Sequence, residues 1–277
     1  MTAVEPRDPA AGAARAARPL DRAIVEAALR DRSSRVASLE VLREVDSTSS
    51  YLARCELPTD GRVRICIAEH QTAGRGRRGR TWQSAAGAGI TLSIARAFPG
   101  PVSGLVPLGI VVGVLAARAL RAHGVERVGL KWPNDLLVES RKLGGVLVEV
   151  DGREPPRAII GLGLNYDSAA LESRIDQAST DVCRSAACRP ERSALAGALL
   201  AELVSGLDRF VATGLPPFRA AWNGLDVLAG RTVCVDTAAG AVHGTARGIA
   251  EDGGLRVDTH TGSRVFHSGE VSVRTVA

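Results

Sequence analysis

The chain has 277 residues, 45% hydrophobic and 23% charged, which suits one large folded domain with a small appendage and excludes a disordered or fibrous protein. Lysine and arginine exceed aspartate and glutamate by 35 − 30 = +5, which admits anionic partners but is too small an excess for a nucleic-acid coat protein. The five cysteines, at 55, 66, 183, 188 and 234, contain no C-x-x-C pair and the five histidines no H-E-x-x-H, so neither a disulfide scaffold nor a metal site made by protein alone is expected, and a reducing cytoplasm fits.

Residues 1–20 hold seven Ala, three Pro and three Arg, with only Met1, Val4 and Leu20 as larger apolar side chains. Such a segment cannot build a core and has no signal-peptide apolar region, so residues 1–19 are expected to be a disordered tail. Leu20 to Leu29 reads as a short helix, too little for a helix-turn-helix, and no DNA-reading domain is expected. Val41 to Val45 reads as a strand, and Asp46-Ser47-Thr48-Ser49 supplies caps for a helix through Tyr51, Leu52 and Cys55. Val63, Ile65 and Ile67 alternate as a second strand. The uncharged run Ala97 to Ala117 is broken by Pro99, Pro101 and Pro107, and no membrane span is expected there. Further strands are expected at Ile90–Ala95, Arg127–Lys131, Gly145–Val150 and Arg157–Leu164, and helices at Leu105–Arg121 and Ser193–Ala212. The irregular alternation predicts an α+β fold, a mixed β-sheet packed against helices, over residues 20–226. After Gly214-Leu215-Pro216-Pro217 the pattern changes to short strands (Thr232–Val235, Val242–Gly248, Leu255–Thr259, Arg264–His267), which predicts a small separate β-barrel over residues 229–277.

Gly74-Arg75-Gly76-Arg77-Arg78-Gly79-Arg80 is built from glycine and arginine alone, directly after a strand. Glycine lets the backbone approach a ligand and arginine offers forked donors, so the stretch suits an anion-binding loop; the competing reading is a solvated basic patch. A match to G-x-G-x-x-G at Gly74, Gly76 and Gly79 does not make it a dinucleotide site, because no helix pattern follows and no acid occurs between His70 and Val125 to hold a ribose. That acid-free stretch carries seven arginines, a positive field for an anionic substrate. Lys131-Trp132-Pro133-Asn134-Asp135 sets a polar pair at a strand end, Lys142 stands beside Gly144 and Gly145 at the mouth of a strand, and Gly161-Leu162-Gly163-Leu164-Asn165 ends another with room for close approach.

In this order and spacing, Asp46-Ser47-Thr48, Gln71, the Gly-Arg run, Trp82, Lys131 to Asp135, Lys142 with its glycines, and Gly161 to Asn165 resemble the biotin protein ligases, over about residues 40–275. Ser268-Gly269-Glu270-Val271 resembles that family's closing strand motif. The resemblance implies a class II synthetase-like biotin/lipoate ligase domain with an SH3-like C-terminal barrel. It implies a two-step reaction in which biotin and MgATP give biotinyl-5′-AMP, whose acyl group then passes to a lysine of the biotin carboxyl carrier domain of an acyl-CoA carboxylase. By the same resemblance Ser47, Thr48, Ser49, Gln71, Arg75, Gly76, Arg77 and Lys142 bind biotin, while Arg75, Arg77, Arg80, Trp82, Asn134, Asp135, Lys142 and Asn165 bind ATP and the adenylate. Arg77 and Lys142 are the expected catalytic pair, Trp82 stacks near adenine, Asp135 stands near Mg²⁺ brought with ATP, and the arginine loop orders on binding. No prosthetic group, DNA or membrane partner is implied; the expectation is a monofunctional cytoplasmic ligase without repressor activity, a monomer or weak homodimer. Ser49 stands where the family very often has Asn, and Gly144, where Ala is common, is expected to matter little.

Two rivals remain open at this stage. A lipoate or octanoate ligase or transferase shares the fold but resembles the chain less in the Gly-Arg run and in Lys131 to Asp135. A nucleic-acid-binding module accounts for the arginines, yet nine aromatic residues leave little for base stacking.

Overall fold

The computed structural model describes residues 18–168, 178–237, 240–267 and 272–275. Residues 1–17 of the expected tail and the Ser268–Val271 motif lie outside the described residues. Arg18 and Pro19, assigned to that tail, lead into a held segment: Arg192 donates to the Arg18 carbonyl at 2.9 Å and the Leu20 amide donates to Glu69.

The helix α1 (Arg22–Ala28) is capped by the Asp21 carboxylate. Strand β1 (Val36–Val45) runs parallel to β2 (Val63–Gln71), the two joined by α2 (Thr48–Ala53). Strand β3 (Gly89–Ala97) is buried along almost its whole length and lies antiparallel to β2. The chain then crosses to the far edge through α3 (Leu108–Ala122) and returns as an antiparallel meander, β4 (Val128–Lys131), β5 (Asp135–Val138), β6 (Arg141–Asp151) and β7 (Arg157–Asn165). Strand β7 closes against β3, which gives the sheet order β1-β2-β3-β7-β6-β5-β4. The expected mixed sheet is therefore present, with one parallel pair.

Helix α4 (Val182–Ser185) precedes α5 (Arg192–Thr213), which packs on α3 and α1 over the sheet. The segment Val102–Ala122 is long and apolar enough to cross a membrane by composition, but most of α3 is buried against α5, β4 and β6. Contact between α3 and α5 depends on Gly206, where a Cβ would run into the Leu115 side chain. Gly206→Ala is expected to destabilise the protein by about 1–3 kcal/mol through overpacking, read as a fall of several degrees in Tm.

Several element ends differ from the sequence expectation. Strand β1 is ten residues long, α3 begins at Leu108 after a 3-10 turn at Val102–Leu105, and β6 begins at Arg141, so Lys142 lies inside the strand rather than before it. Among the elements that escaped sequence reading are α4, a single turn, β5, too short to show alternation, and α6 (Pro216–Asn223), where Pro216-Pro217 reads as a stop although proline suits the first turn of a helix.

The C-terminal strands β8 (Thr232–Thr237), β9 (Gly240–Ile249), β10 (Leu255–Thr259), β11 (Gly262–Phe266) and β12 (Ser272–Thr275) form an antiparallel sheet in the order β11-β10-β9-β8-β12. Among the described residues β11 and β12 do not pair to close it. This sheet shares one continuous core with the first, and Trp132 Nε1 donates to the Gly253 carbonyl at 3.0 Å across the join.

All five cysteines are free. Burial pushes the Cys66 thiol up to about 12, so alkylation at pH 8 is expected to label the exposed Cys188 and to spare Cys66 until the protein unfolds; equal labelling rates in the native state would contradict this packing.

Candidate active site

Sheet register assembles the site. Val45 pairs with Gln71, Gly89 with Asn165, Gly144 with Leu164, and Asp135 with Gly145, which draws strand ends distant in sequence to one region of the sheet. A cleft of about 650 Å³ opens there. Ser47, Thr48, Ser49, Gln71, Arg75, Gly76, Arg77, Arg80, Trp82, Asn134, Asp135, Lys142 and Asn165 all line it, so every site residue proposed from sequence converges on one cavity.

One end is a floor of hydroxyls and an amide. Ser47 caps α2, its Oγ accepting from the Ser50 amide at 3.4 Å. Gln71 Oε1 accepts from the Thr48 amide at 2.8 Å and from Thr48 Oγ1 at 3.1 Å. Ser93, absent from the sequence-based set, is the hub: fully buried on β3, its Oγ is 2.7 Å from Thr48 Oγ1 and 2.9 Å from Ser49 Oγ. Its signal in the sequence was slight: with Thr91 it is one of two hydroxyls in an otherwise apolar stretch of the strand. Next to this floor the Arg54 guanidinium bonded to Asp46, with the Ser47 amide, holds the Asp46 carboxyl down at about 2.

Alternation along β7 explains the next wall. Leu162 and Leu164 point into the core, while Gly161 and Gly163 face the cleft. A Cβ at Gly161 would sit 2.9 Å from Ser49 Oγ, and one at Gly163 would strike the Trp82 indole at 2.6 Å. The Trp82 ring thus packs on β7 at Gly163 as well as lining the cleft. Gly144 matters more than its sequence context suggested, because a Cβ there would come within 2.5 Å of the Gly163 carbonyl oxygen.

The opposite end is cationic. The loop from Gly74 to Trp82 is closed by Gly76 N–H to the Arg80 carbonyl at 2.7 Å and Trp82 N–H to the Gly74 carbonyl at 2.9 Å, with Arg78 in the left-handed region at φ 58°. Half-buried Arg77 donates to Asn134 Oδ1 at 3.2 Å, and Asn134 Nδ2 donates in turn to the Val146 carbonyl at 2.9 Å. Burial and the nearby charge of Arg78 pull the Arg77 guanidinium down from its ordinary range, though an arginine remains charged there. Lys142 Nζ lies 2.8 Å from Asp135 Oδ1, and its backbone is pinned by Ala178 and Thr180. Arg75 is turned partly aside: its Nη1 and Nη2 donate to the two carboxylate oxygens of Glu149 at 2.7 and 2.6 Å. Asn165, expected to face the adenylate, spends its Nδ2 on the carbonyls of Lys142 at 3.2 Å and Thr180 at 3.0 Å, which makes it a tie that positions Lys142. Among the described residues no three His, Cys, Asp or Glu converge, and Asp135 is the carboxylate lining the cleft. One carboxylate is what a Mg²⁺ arriving on nucleotide phosphates requires of a protein, so the donor set fits such an ion.

A neutral hydrogen-bonding floor joined to a cationic mouth suits a ligand with a polar uncharged head and an anionic end. The model of the biotin/lipoate A/B protein ligase family matches residues 41–165, and that of the biotin protein ligase C-terminal domain matches residues 229–274. The biotin–[acetyl-CoA-carboxylase] ligase of Mycobacterium tuberculosis is 34% identical over 259 residues, covering 91% of this chain and 95% of that protein. This chain belongs to the biotin protein ligase family. The bifunctional ligase/repressor BirA of Escherichia coli is 35% identical over 244 residues, 86% of this chain and 74% of that protein. The solved biotin protein ligase from Aquifex aeolicus in complex with biotin and ATP superposes with a TM-score of 0.75 at 27% identity, covering 87% of this chain and all of that one. Membership orders the rivals left open by the sequence: the C-terminal match is to a biotin protein ligase domain, which favours biotin over lipoate.

Proposed function

We propose that the protein activates biotin with MgATP and transfers it to a lysine of the biotin carboxyl carrier domain of an acyl-CoA carboxylase. The observation that carries this reading is the one cleft in which the hydroxyls of Thr48 and Ser49, held from beneath by buried Ser93, meet Arg77 and Lys142. The ureido head of biotin is neutral and rich in hydrogen-bonding groups, which the Ser47 to Ser49 segment and Gln71 match. Its carboxylate then extends toward Lys142 and the arginine loop.

In the first step a carboxylate oxygen attacks the α-phosphorus of ATP, the bond to the β-phosphate breaks, and pyrophosphate leaves. Two anions must be brought together, so the protein acts by positioning and by neutralising charge rather than through a nucleophile of its own. Lys142 and Arg77 supply fixed positive charge where the anions meet, with Arg75 and Arg80 completing the field. Asn134 orients Arg77 and contacts the nucleotide, Trp82 offers a face to adenine, and a Mg²⁺ entering with the phosphates, with Asp135 as its protein ligand, would add charge neutralisation. In the second step the carrier lysine amine attacks the acyl carbon, AMP leaves, and the amine gives up its proton. The mixed anhydride must be kept from water meanwhile, which is the task of a glycine-rich loop that closes over it. We assign the protein to the cytoplasm, where carrier and ATP are found, as a monomer or weak homodimer with no DNA or membrane partner.

Pyrophosphate release with MgATP and either biotin or lipoate, with and without a carrier whose target lysine is intact or replaced, tests this reading. Biotin-dependent release followed by lysine-dependent labelling is expected. Release with lipoate alone would overturn it.

A further inference from the structure

Beside the cleft lies a second cavity of about 330 Å³. Leu52, Leu57 and Ile159 form an apolar wall, and the end of β6 with the start of β7 forms a charged one. Arg75 lines both cavities, so the two share a wall.

The charges in the second cavity do not balance. Both oxygens of Glu149 are taken by Arg75, and Asp151 accepts from Arg153 at 2.7 Å. Arg157 remains. Its Nε is buried with no acceptor, and its side chain has no partner among the described residues. A guanidinium in that position, flanked by apolar surface, favours a carboxylate partner that brings hydrocarbon with it. Val150, 41% exposed, stands on the same lining, an apolar surface that a docked protein would cover.

We propose that this cavity is a docking subsite for the carrier protein, receiving an acidic side chain near the target lysine with its carboxylate on Arg157. The inference rests on the ligase reading. Continuity with the cleft argues for the carrier as occupant: a segment whose lysine enters the cleft brings neighbouring residues to the wall formed by Arg75. Arg157 serves recognition only and takes no part in adenylation.

The test separates the two half-reactions in the full chain. In Arg157→Gln, biotin-dependent pyrophosphate release without carrier is expected to stay within about twofold of the parent, while KM for the carrier rises by about fivefold or more, as for loss of a charged hydrogen-bonding partner. Arg157→Lys keeps the charge and should retain most of the carrier affinity, which also covers the case in which the glutamine variant folds poorly. Carrier KM in the parent should rise with salt more steeply than in Arg157→Gln. An unchanged carrier KM in both Arg157→Gln and Arg157→Glu would overturn the proposal. A Tm increase with hexanoate in the parent alone, with carrier KM untouched by the substitutions, would overturn it in favour of a small-carboxylate site. Absence of biotin-dependent pyrophosphate release in the parent is a different failure, that of the ligase reading, and would remove this inference with it.

Discussion

Lys142→Ala is expected to slow biotin-dependent pyrophosphate release by about 10²–10³-fold, the range found when one preorganised charge-stabilising donor is removed from an active site. Lys142 Nζ is held 2.8 Å from Asp135 and three-quarters shielded from solvent, while its backbone is fixed on both sides by the 178–180 segment and by Asn165. Little reorganisation is therefore needed when negative charge develops between carboxylate and phosphate. The substitution also leaves Asp135 without its cation, which adds repulsion of the substrate anions to the loss. Lys142→Arg separates the two effects: it keeps a cation beside Asp135 but displaces the charge from its place, should melt close to the parent, and should remain strongly impaired. Parent-like turnover in Lys142→Ala would remove Lys142 from the chemistry.

Arg77→Ala is the second large effect. Here the expected change is in holding the intermediate: release of biotinyl-5′-AMP into solution should become about 10²-fold faster. Arg77 is the loop arginine that reaches inward, bonded to Asn134, half-buried, and pushed against Arg78. Its charge is poorly met by the protein, so an incoming anion gains more from it than from the exposed arginines, whose field water screens. Single-turnover experiments should show adenylate escaping before transfer, seen as labelling of bystander proteins or as free adenylate. Retention equal to that of the parent would exclude this role. Arg75 should respond less, because Glu149 already occupies both ends of its fork.

The parts of the site legible in the sequence share a physical cause. The Gly-Arg run, the polar turn after Lys131 and the alternating glycines of β7 are local devices, each needing a special backbone or a concentrated charge that ordinary packing does not. Ser93 and Glu149 carried no such mark: one is a serine in an apolar strand, the other a carboxylate on a strand with several charges, and each gains meaning from a partner more than forty residues away in sequence. The same distinction runs through the fold. Long periodic segments such as α5 were readable, whereas β5 and α6 depend on neighbours: β5 on its hairpin partner β4, α6 on burial of Phe218 and Trp222.

By itself the sequence determined the strand-rich plan with two covering helices, the change of pattern near residue 230, and the concentration of glycine and positive charge at 74–80. Those follow from side-chain periodicity, glycine freedom and charge, properties a segment carries alone. Only the tertiary structure decided the strand order that inserts β7 between β3 and β6, the packing of Trp82 on Gly163, the turning of Arg75 to Glu149, and the unmatched charge of Arg157. These depend on register and on which side chain fills which space, and such choices are made when distant segments compete for the same surface.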